Sequence, residues 1–254
     1  MGKARELDHE TGSSEERQSA EERPSATSGL VEQVIEEVRT FIHQNHLGAG
    51  AMLPSETTFA DRLGVSRPVA REAYRALAAV GILDVGNGRR ARVAVPDASV
   101  LSLVLDHTVH IKQLSIQQIF DVRRTLELRT VSLASLRRSN EEAATLLNLV
   151  DDMRRAAASP NDVLVVDIAF HELIAQASRN PLYSLLIGSF RAATRQTFHI
   201  GWQSRRTVES KLESINNHQR VADAIAAQDT PRAEQAMSEH FDSAINLLIR
   251  AGVV

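Results

Sequence analysis

Asp167, His171, His218 and His240 are the side chains whose types and spacing could hold a metal ion. Asp167 and His171 stand four residues apart in a segment where Val163, Val166, Phe170 and Ile174 recur at helical spacing, so both share the apolar face. His218 lies on a face with Ile215, Val221, Ala222 and Ile225, and His240 lies on the stripe of Ala233, Ala236, Met237, Phe241, Ala244 and Leu248. A carboxylate turned into an apolar interior without a partner would be desolvated unpaired, so something must compensate Asp167. Three imidazoles and one carboxylate from three helices can converge in a bundle core. That donor set suits a divalent ion, Zn²⁺ first and Ni²⁺ or Mn²⁺ as alternatives. Taken singly, each histidine is explained as well by core packing against a backbone carbonyl, and Asp167 with His171 by an internal hydrogen bond. His43, His46, His107, His110 and His199 show how common lone histidines are in this chain. The four together favour the metal.

Another inward anomaly precedes them. Ile116, Ile119, Phe120, Arg123, Glu127, Thr130, Val131 and Ala134 share one helical stripe, which carries Arg123 and Glu127 inward. Two readings are open here: a buried ion pair across one helical turn, or a guanidinium that holds a carboxylate ligand bidentately. Gln196 and His199, read as inward on the helix after Pro181, are weaker candidates for the same pocket.

A different chemistry is concentrated nearer the start. Residues 62 to 92 hold seven arginines against the acids Glu72 and Asp84. Arg67 and Arg71, four apart at the start of a helix, point the same way from the end that would enter a major groove, where a guanidinium can take guanine O6 and N7 together. Ser66 is read as the cap of that helix, and its exposed first-turn amides suit a phosphate oxygen. Ser55 caps the preceding short helix, and Thr57 offers a hydroxyl to phosphate. Gly86 and Gly88 allow a close backbone approach, while Asn87, Arg89 and Arg90 supply polar reach toward the neighbouring groove.

The elements that would position these residues follow from periodicity. Residues 1–28 carry seven acids and four bases among Ser, Thr, Gly and Pro, which reads as a disordered tail. From Leu30 an apolar stripe runs to Phe41 and Ile42 and stops near Gly48. Short helices over 56–63 and from Arg67 to Val80 are separated by a glycine-containing turn, and ILDV, GNG and RRARVAV read as two strands around a glycine tip. Residues 29–96 are thus a winged helix-turn-helix of three helices and a small β-wing. Beyond Pro96 the pattern is helical throughout, near 99–107, 115–138, 141–157, 162–178, 181–202, 206–227 and 231–250. Residues 97–254 therefore form an all-α bundle, and the fold class is mainly α.

Composition narrows the function. A net charge of −3 in 254 residues excludes a polybasic coat, so any nucleic-acid surface is local. Without cysteine there is no disulfide, zinc ribbon or thiol catalysis. No apolar run is long enough to cross a bilayer and no signal peptide is visible, so a soluble, cytoplasmic protein is expected. His171-Glu172 begins like a zinc-protease HExxH helix, but Ala175 stands at its fifth position. With no G-x-S-x-G or P-loop either, an enzyme is not expected. A metal-dependent hydrolase with a DNA-binding appendage and an effector-independent DNA-binding dimer are the other two readings.

LPSE…LGVSRPVAREAYRALAAVGIL…GNG resembles the amino-terminal winged helix of the GntR family of bacterial transcription regulators, over about residues 30–95. That resemblance implies base reading by Arg67 and Arg71 and a wing tip at Asn87 and Gly88, and it departs at Thr57, where the pattern usually has Arg. DIAFHELI…SRNPL, His218 and DTPRAEQAMSEHF resemble the FCD effector domain of the FadR subfamily. Its metal-binding members use an Asp, a His four later and two further His, which match Asp167, His171, His218 and His240. It also implies that Arg123 stands near the ligand cavity. A homodimer on a pseudo-palindromic double-stranded operator, a small carboxylate effector and repression modulated by that effector complete the expectation.

Overall fold

A computed structural model describes residues 26–86, 89–95 and 97–253. The tail as far as residue 25 and the wing-tip residues Asn87 and Gly88 lie outside the described residues. Those described fall into two compact units, 26–47 with 54–76, and 48–53 with 77–253.

In the first unit, α1 (Ala26–Gln44) starts ahead of the apolar stripe, so residues 26–28, expected in the tail, are helical. Periodicity marks where a helix gains burial, and a first turn needs none. Ser55 caps α2 (Glu56–Leu63) by accepting from the Thr58 amide at 3.1 Å, and Gly64 closes it in the left-handed region at φ 66°. Helix α3 (Arg67–Ala79) follows at once. Phe59 stands edge-on to both Phe41 and Tyr74, and the Tyr74 hydroxyl donates to the Pro54 carbonyl at 2.8 Å. Burial and nearby Glu56 hold the Tyr74 phenol far above its usual range.

In the second unit, β1 (Leu83–Asp84) pairs antiparallel with β2 (Arg92–Val93), Leu83 opposite Val93. The segment 50–53, between α1 and α2, extends this sheet. Gly50 and Leu53 donate to the carbonyls of Val93 and Ala91 at 2.8 and 2.9 Å, and Val93 donates to Ala51 at 2.9 Å. Two-residue strands satisfy few backbone groups, and this third segment takes up the free edge.

The bundle is α4 (Ser99–His110), α5 (Ile116–Arg137), α6 (Asn140–Arg155), α7 (Pro160–Ala177), α8 (Pro181–Ser189), α9 (Arg191–Ser204), α10 (Val208–Ala226) and α11 (Thr230–Arg250). Ser115, Ser139 and Thr207 form reciprocal capping boxes, which fix where α5, α6 and α10 begin. The last helix is capped by Asp229 and starts at Thr230, one residue before the expected start. Where one helix was expected over 181–202, the chain breaks at Phe190, whose amide bonds to Ile187 three residues back at 3.1 Å. Gly188 allows the contact that accompanies the break, since a Cβ there would lie 2.7 Å from the Ala98 side chain. Met153, Phe170, Ile174, Ile225, Met237 and Phe241 fill the core.

Candidate functional site

The expected histidines meet. Ligand nitrogens of His171 on α7, His218 on α10 and His240 on α11 all lie within 4.8 Å of one another. The His218 and His240 rings are 4.5 Å apart between centroids, and Phe170 and Phe241 wall the cluster edge-on. Each histidine is inward because its helix's apolar stripe is.

The hydrogen bonds fix which nitrogens face the centre. His218 Nδ1 donates to the Ser214 carbonyl at 3.0 Å, which leaves Nε2 toward Asp167 Oδ1, also at 3.0 Å. A neutral imidazole has one donor and one acceptor, so with the proton on Nδ1, Nε2 and Oδ1 are two acceptors in contact. A cation must join them, either a second proton on His218 or a metal ion. Their separation is that of two neighbouring ligands of one ion, each about 2.1 Å from it. His171 follows the same pattern. Its Nδ1 is taken by Glu127 Oε2, while its Nε2 is buried with no partner among the described residues.

Electrostatics keep the donors ready. Burial opposes charge on Asp167, but the His218 hydrogen bond and the fields of His171, His218 and Arg123 outweigh it and hold the carboxyl well below its ordinary range. Burial, then His218, His171 and Arg123, push His240 well below the usual imidazole value against the pull of Asp167. Asp167 is thus an anion and His240 a neutral lone-pair donor. The residues fit a divalent ion: three imidazoles, a carboxylate, one orphaned nitrogen and a carboxylate behind a ligand histidine.

Of the two readings of Arg123, the structure has the buried ion pair. Its Nε donates to Glu127 Oε1 at 2.6 Å, making the buried pair, and Nη1 donates to Thr194 Oγ1 at 2.8 Å. The guanidinium also lies 5.6 Å from the Phe241 ring centre and lines a cavity of about 70 Å³ with Asp167 and the three histidines. Gln196 does not join them. It is exposed and donates to Asp106 Oδ1 at 2.5 Å, because the inward stripe runs through Ile187, Phe190, Thr194, Thr197 and Gly201 and leaves position 196 on the outer side. Sequence reasoning missed Glu127 as the partner of His171, although its place on the apolar stripe was the available signal. It also missed Arg205, at the end of α9, which lines the cavity.

On the first unit, Arg67 and Arg71 are exposed at the start of α3. Arg71 Nε lies 3.4 Å from Glu56 Oε2, so the acid at the start of α2 restrains it. Ser66 gives its carbonyl to the Ala70 amide at 3.2 Å, but its hydroxyl makes no hydrogen bond among the described residues, so the expected side-chain cap is not made. That hydroxyl is exposed and free for another acceptor. Ser55 is bound to Thr58 in its capping role, and Thr57 is half-buried. On the wing, Arg89 is exposed and its amide closes a turn to Gly86 at 3.2 Å. No helix among the described residues is long and apolar enough to cross a membrane.

Comparison with known proteins matches residues 30–93 to "Bacterial regulatory proteins, gntR family" and residues 118–243 to "FCD domain". The chain is 27% identical over 229 residues to the HTH-type transcriptional repressor NanR of Cronobacter sakazakii, covering 87% of this chain and 86% of that protein. It is also 27% identical over 233 residues to NanR of Salmonella newport, covering 89% and 87%. Among solved structures, Streptococcus agalactiae GntR superposes with a TM-score of 0.62 at 26% identity, over 84% of this chain and 97% of that one.

Proposed function

Since the chain belongs to the gntR family of bacterial regulatory proteins with an FCD domain, and is a DNA-binding transcription regulator and not an enzyme, we propose that it is a metal-dependent, acid-responsive repressor. The observation that carries the reading is the convergence of His171, His218 and His240 beside Asp167, with two of the rings turned by outer acceptors so that Nε2 faces the centre. Residues 29–96 contact the operator and residues 97–254 hold the metal, the effector and the dimer contact.

Asp167, His171, His218 and His240 hold the ion, most suitably Zn²⁺. When bound, the ion supplies a positively charged centre that attracts an anionic oxygen. Glu127 fixes the His171 tautomer, and Arg123 is held by Glu127 and Thr194 with its Nη2 left for a small carboxylate. Because the cavity is lined from α5, α7, α9, α10 and α11, an acid that fills it favours one packing of those helices over another. The winged helices respond through that choice, and the operator is released. Repression as the sign follows the relatives named transcriptional repressors.

At the DNA, Arg67 and Arg71 read bases, while Ser55, Thr57, Ser66 and Arg89, together with Asn87 and Gly88, contact backbone or the adjoining groove. Retention of genomic fragments on purified protein at fixed salt, with and without EDTA, tests the whole reading. A palindromic site enriched by the wild type and lost in Arg67→Ala/Arg71→Ala supports it, as does about one divalent ion per chain by elemental analysis. Metal-free protein whose melting is unchanged by Asp167→Ala would sink the metal part, and equal enrichment by the double variant would sink the reading of bases.

A further inference from the structure

Arg205 and Arg123 line one cavity in different electrostatic states. Arg123 is neutralised locally by Glu127. Arg205, by contrast, forms no ion pair with any described carboxylate, and its one side-chain hydrogen bond is from Nη1 to the Gly201 carbonyl of its own helix at 2.8 Å. It is half-buried in the cavity wall, and burial lowers its proton affinity despite the opposing field of Asp167. A partly desolvated guanidinium with no ion pair of its own is costly, and an anion bidentate on its free nitrogens relieves that cost. Within the cavity and its immediate backing, the carboxylates Asp167 and Glu127 balance the guanidiniums Arg123 and Arg205. A bound divalent ion therefore leaves an excess of two positive charges, which one dianion cancels.

Resting on the acid-effector reading above, we propose that Arg205 is the residue that selects the effector, and that the effector is a small dianionic acid. One anionic group faces the histidine cluster and the second lies on Arg205. The 70 Å³ cavity suits short dicarboxylates and acids of similar size, and Phe120, Phe198 and Leu248 on its apolar side give a long polar tail no partner there.

The chain contains a single tryptophan, Trp202, which is stacked on Phe198 at 5.6 Å and stands three residues before Arg205, so its fluorescence reports the site. Zinc-loaded full-length protein is titrated with malonate, succinate and malate, and with acetate, propionate and lactate as monoanions, by fluorescence and calorimetry. The expected result is that at least one dicarboxylate binds ten-fold or more tighter than its matched monocarboxylate. Arg205→Gln removes that preference, and zinc content and circular dichroism stay as in wild type. Arg205→Lys, which keeps charge and loses the fork, restores part of the preference and covers the case in which Arg205→Gln does not fold. Equal dicarboxylate affinity in wild type and Arg205→Gln overturns the assignment of Arg205 while leaving an acid effector standing. A wild type that binds monocarboxylates as tightly as dicarboxylates overturns the dianion. Zinc-loaded wild type that binds none of the six acids overturns both this assignment and the reading it rests on.

Discussion

Glu127 is the most heavily committed side chain of the centre, since one oxygen meets Arg123 Nε and the other meets His171 Nδ1 while the residue is 1% exposed. By fixing the tautomer of His171 it keeps Nε2 as the free lone pair, the part a second carboxylate plays behind a metal-ligating histidine. Glu127→Gln retains the shape and removes the charge. Its expected effect is a loss of zinc affinity of about 10- to 100-fold, read by competition with a fluorescent chelator, together with destabilisation of about 3–5 kcal/mol from leaving Arg123 unpaired. Unchanged zinc affinity would leave Glu127 as a partner of Arg123 only. The same residue sets an acid limit. Burial opposes its charged form, but Arg123 and His171 overcome that and depress its pKa below the ordinary 4.5. A depressed folded pKa gives stability that is fully present above the unfolded value and is lost as pH falls through the folded one. In metal-free protein, melting temperature therefore falls first as pH drops below about 6.5, where His240, held neutral by the fold, must take a proton on unfolding, and falls again below about 4.5 as the carboxylates are protonated. Glu127→Gln has a shallower drop in that window, with Asp167 accounting for what remains. Parallel curves for the two proteins would show that Glu127 is not the titrating group.

Helix α9 was the element least legible beforehand, and the reason is local. Apolar periodicity runs through Pro181 to Trp202 without a proline or an obvious cap to interrupt it, so one continuous helix was the expectation. The break at Phe190 is a single tightened turn, its amide bonding to Ile187 three residues back, and beside it Ala98 occupies the space a side chain at 188 would need. Gln196 was placed on the wrong side for another reason: the buried stripe runs through Ile187, Phe190, Thr194, Thr197 and Gly201, and position 196 lies off it. By comparison, the stripes of α7, α10 and α11 carried Asp167 and the three histidines to one point as read, because each is an uninterrupted helix with its own cap or first-turn proline. What periodicity left out was pairing between elements: Glu127 against His171, and residues 50–53 against the wing. The packing at 188 makes a checkable claim about α8. Gly188→Ala gains about 0.5–1 kcal/mol of helix propensity but brings a methyl to 2.7 Å from the Ala98 Cβ, so overpacking of about 1–3 kcal/mol dominates. Net destabilisation of about 1–2 kcal/mol is expected in urea, whereas in an Ala98→Gly background the same substitution becomes neutral or stabilising. If the loss persists there, the Ala98 contact is not its cause.

For the whole molecule, net charge and basic face act on different aspects of DNA binding. The chain carries −3 overall, so long-range attraction to DNA is weak and binding depends on the arginines of residues 62–92. Operator affinity should then fall steeply with salt, and Arg67→Ala and Arg71→Ala should each cost about 1–3 kcal/mol while relaxing base preference, as removal of a bidentate base contact does. Arg71 has the added restraint of Glu56, so Glu56→Gln, which weakens that hold without touching DNA, is expected to broaden sequence preference more than it lowers affinity. A twofold-symmetric dimer adds a geometric demand, because two recognition helices reach equivalent grooves only when half-sites repeat at about one helical turn of 10–10.5 base pairs. Inserting five base pairs between half-sites turns the second site to the opposite face of the duplex, and operator affinity should drop by at least ten-fold. Inserting ten restores the facing and lengthens only the distance, so binding recovers in part if the two winged helices can separate and stays lost if the dimer holds them at fixed spacing. Affinity indifferent to the five-base-pair insertion would mean that each chain reads its half-site alone, and that an acid in the bundle could not regulate the operator by changing the spacing between two subunits.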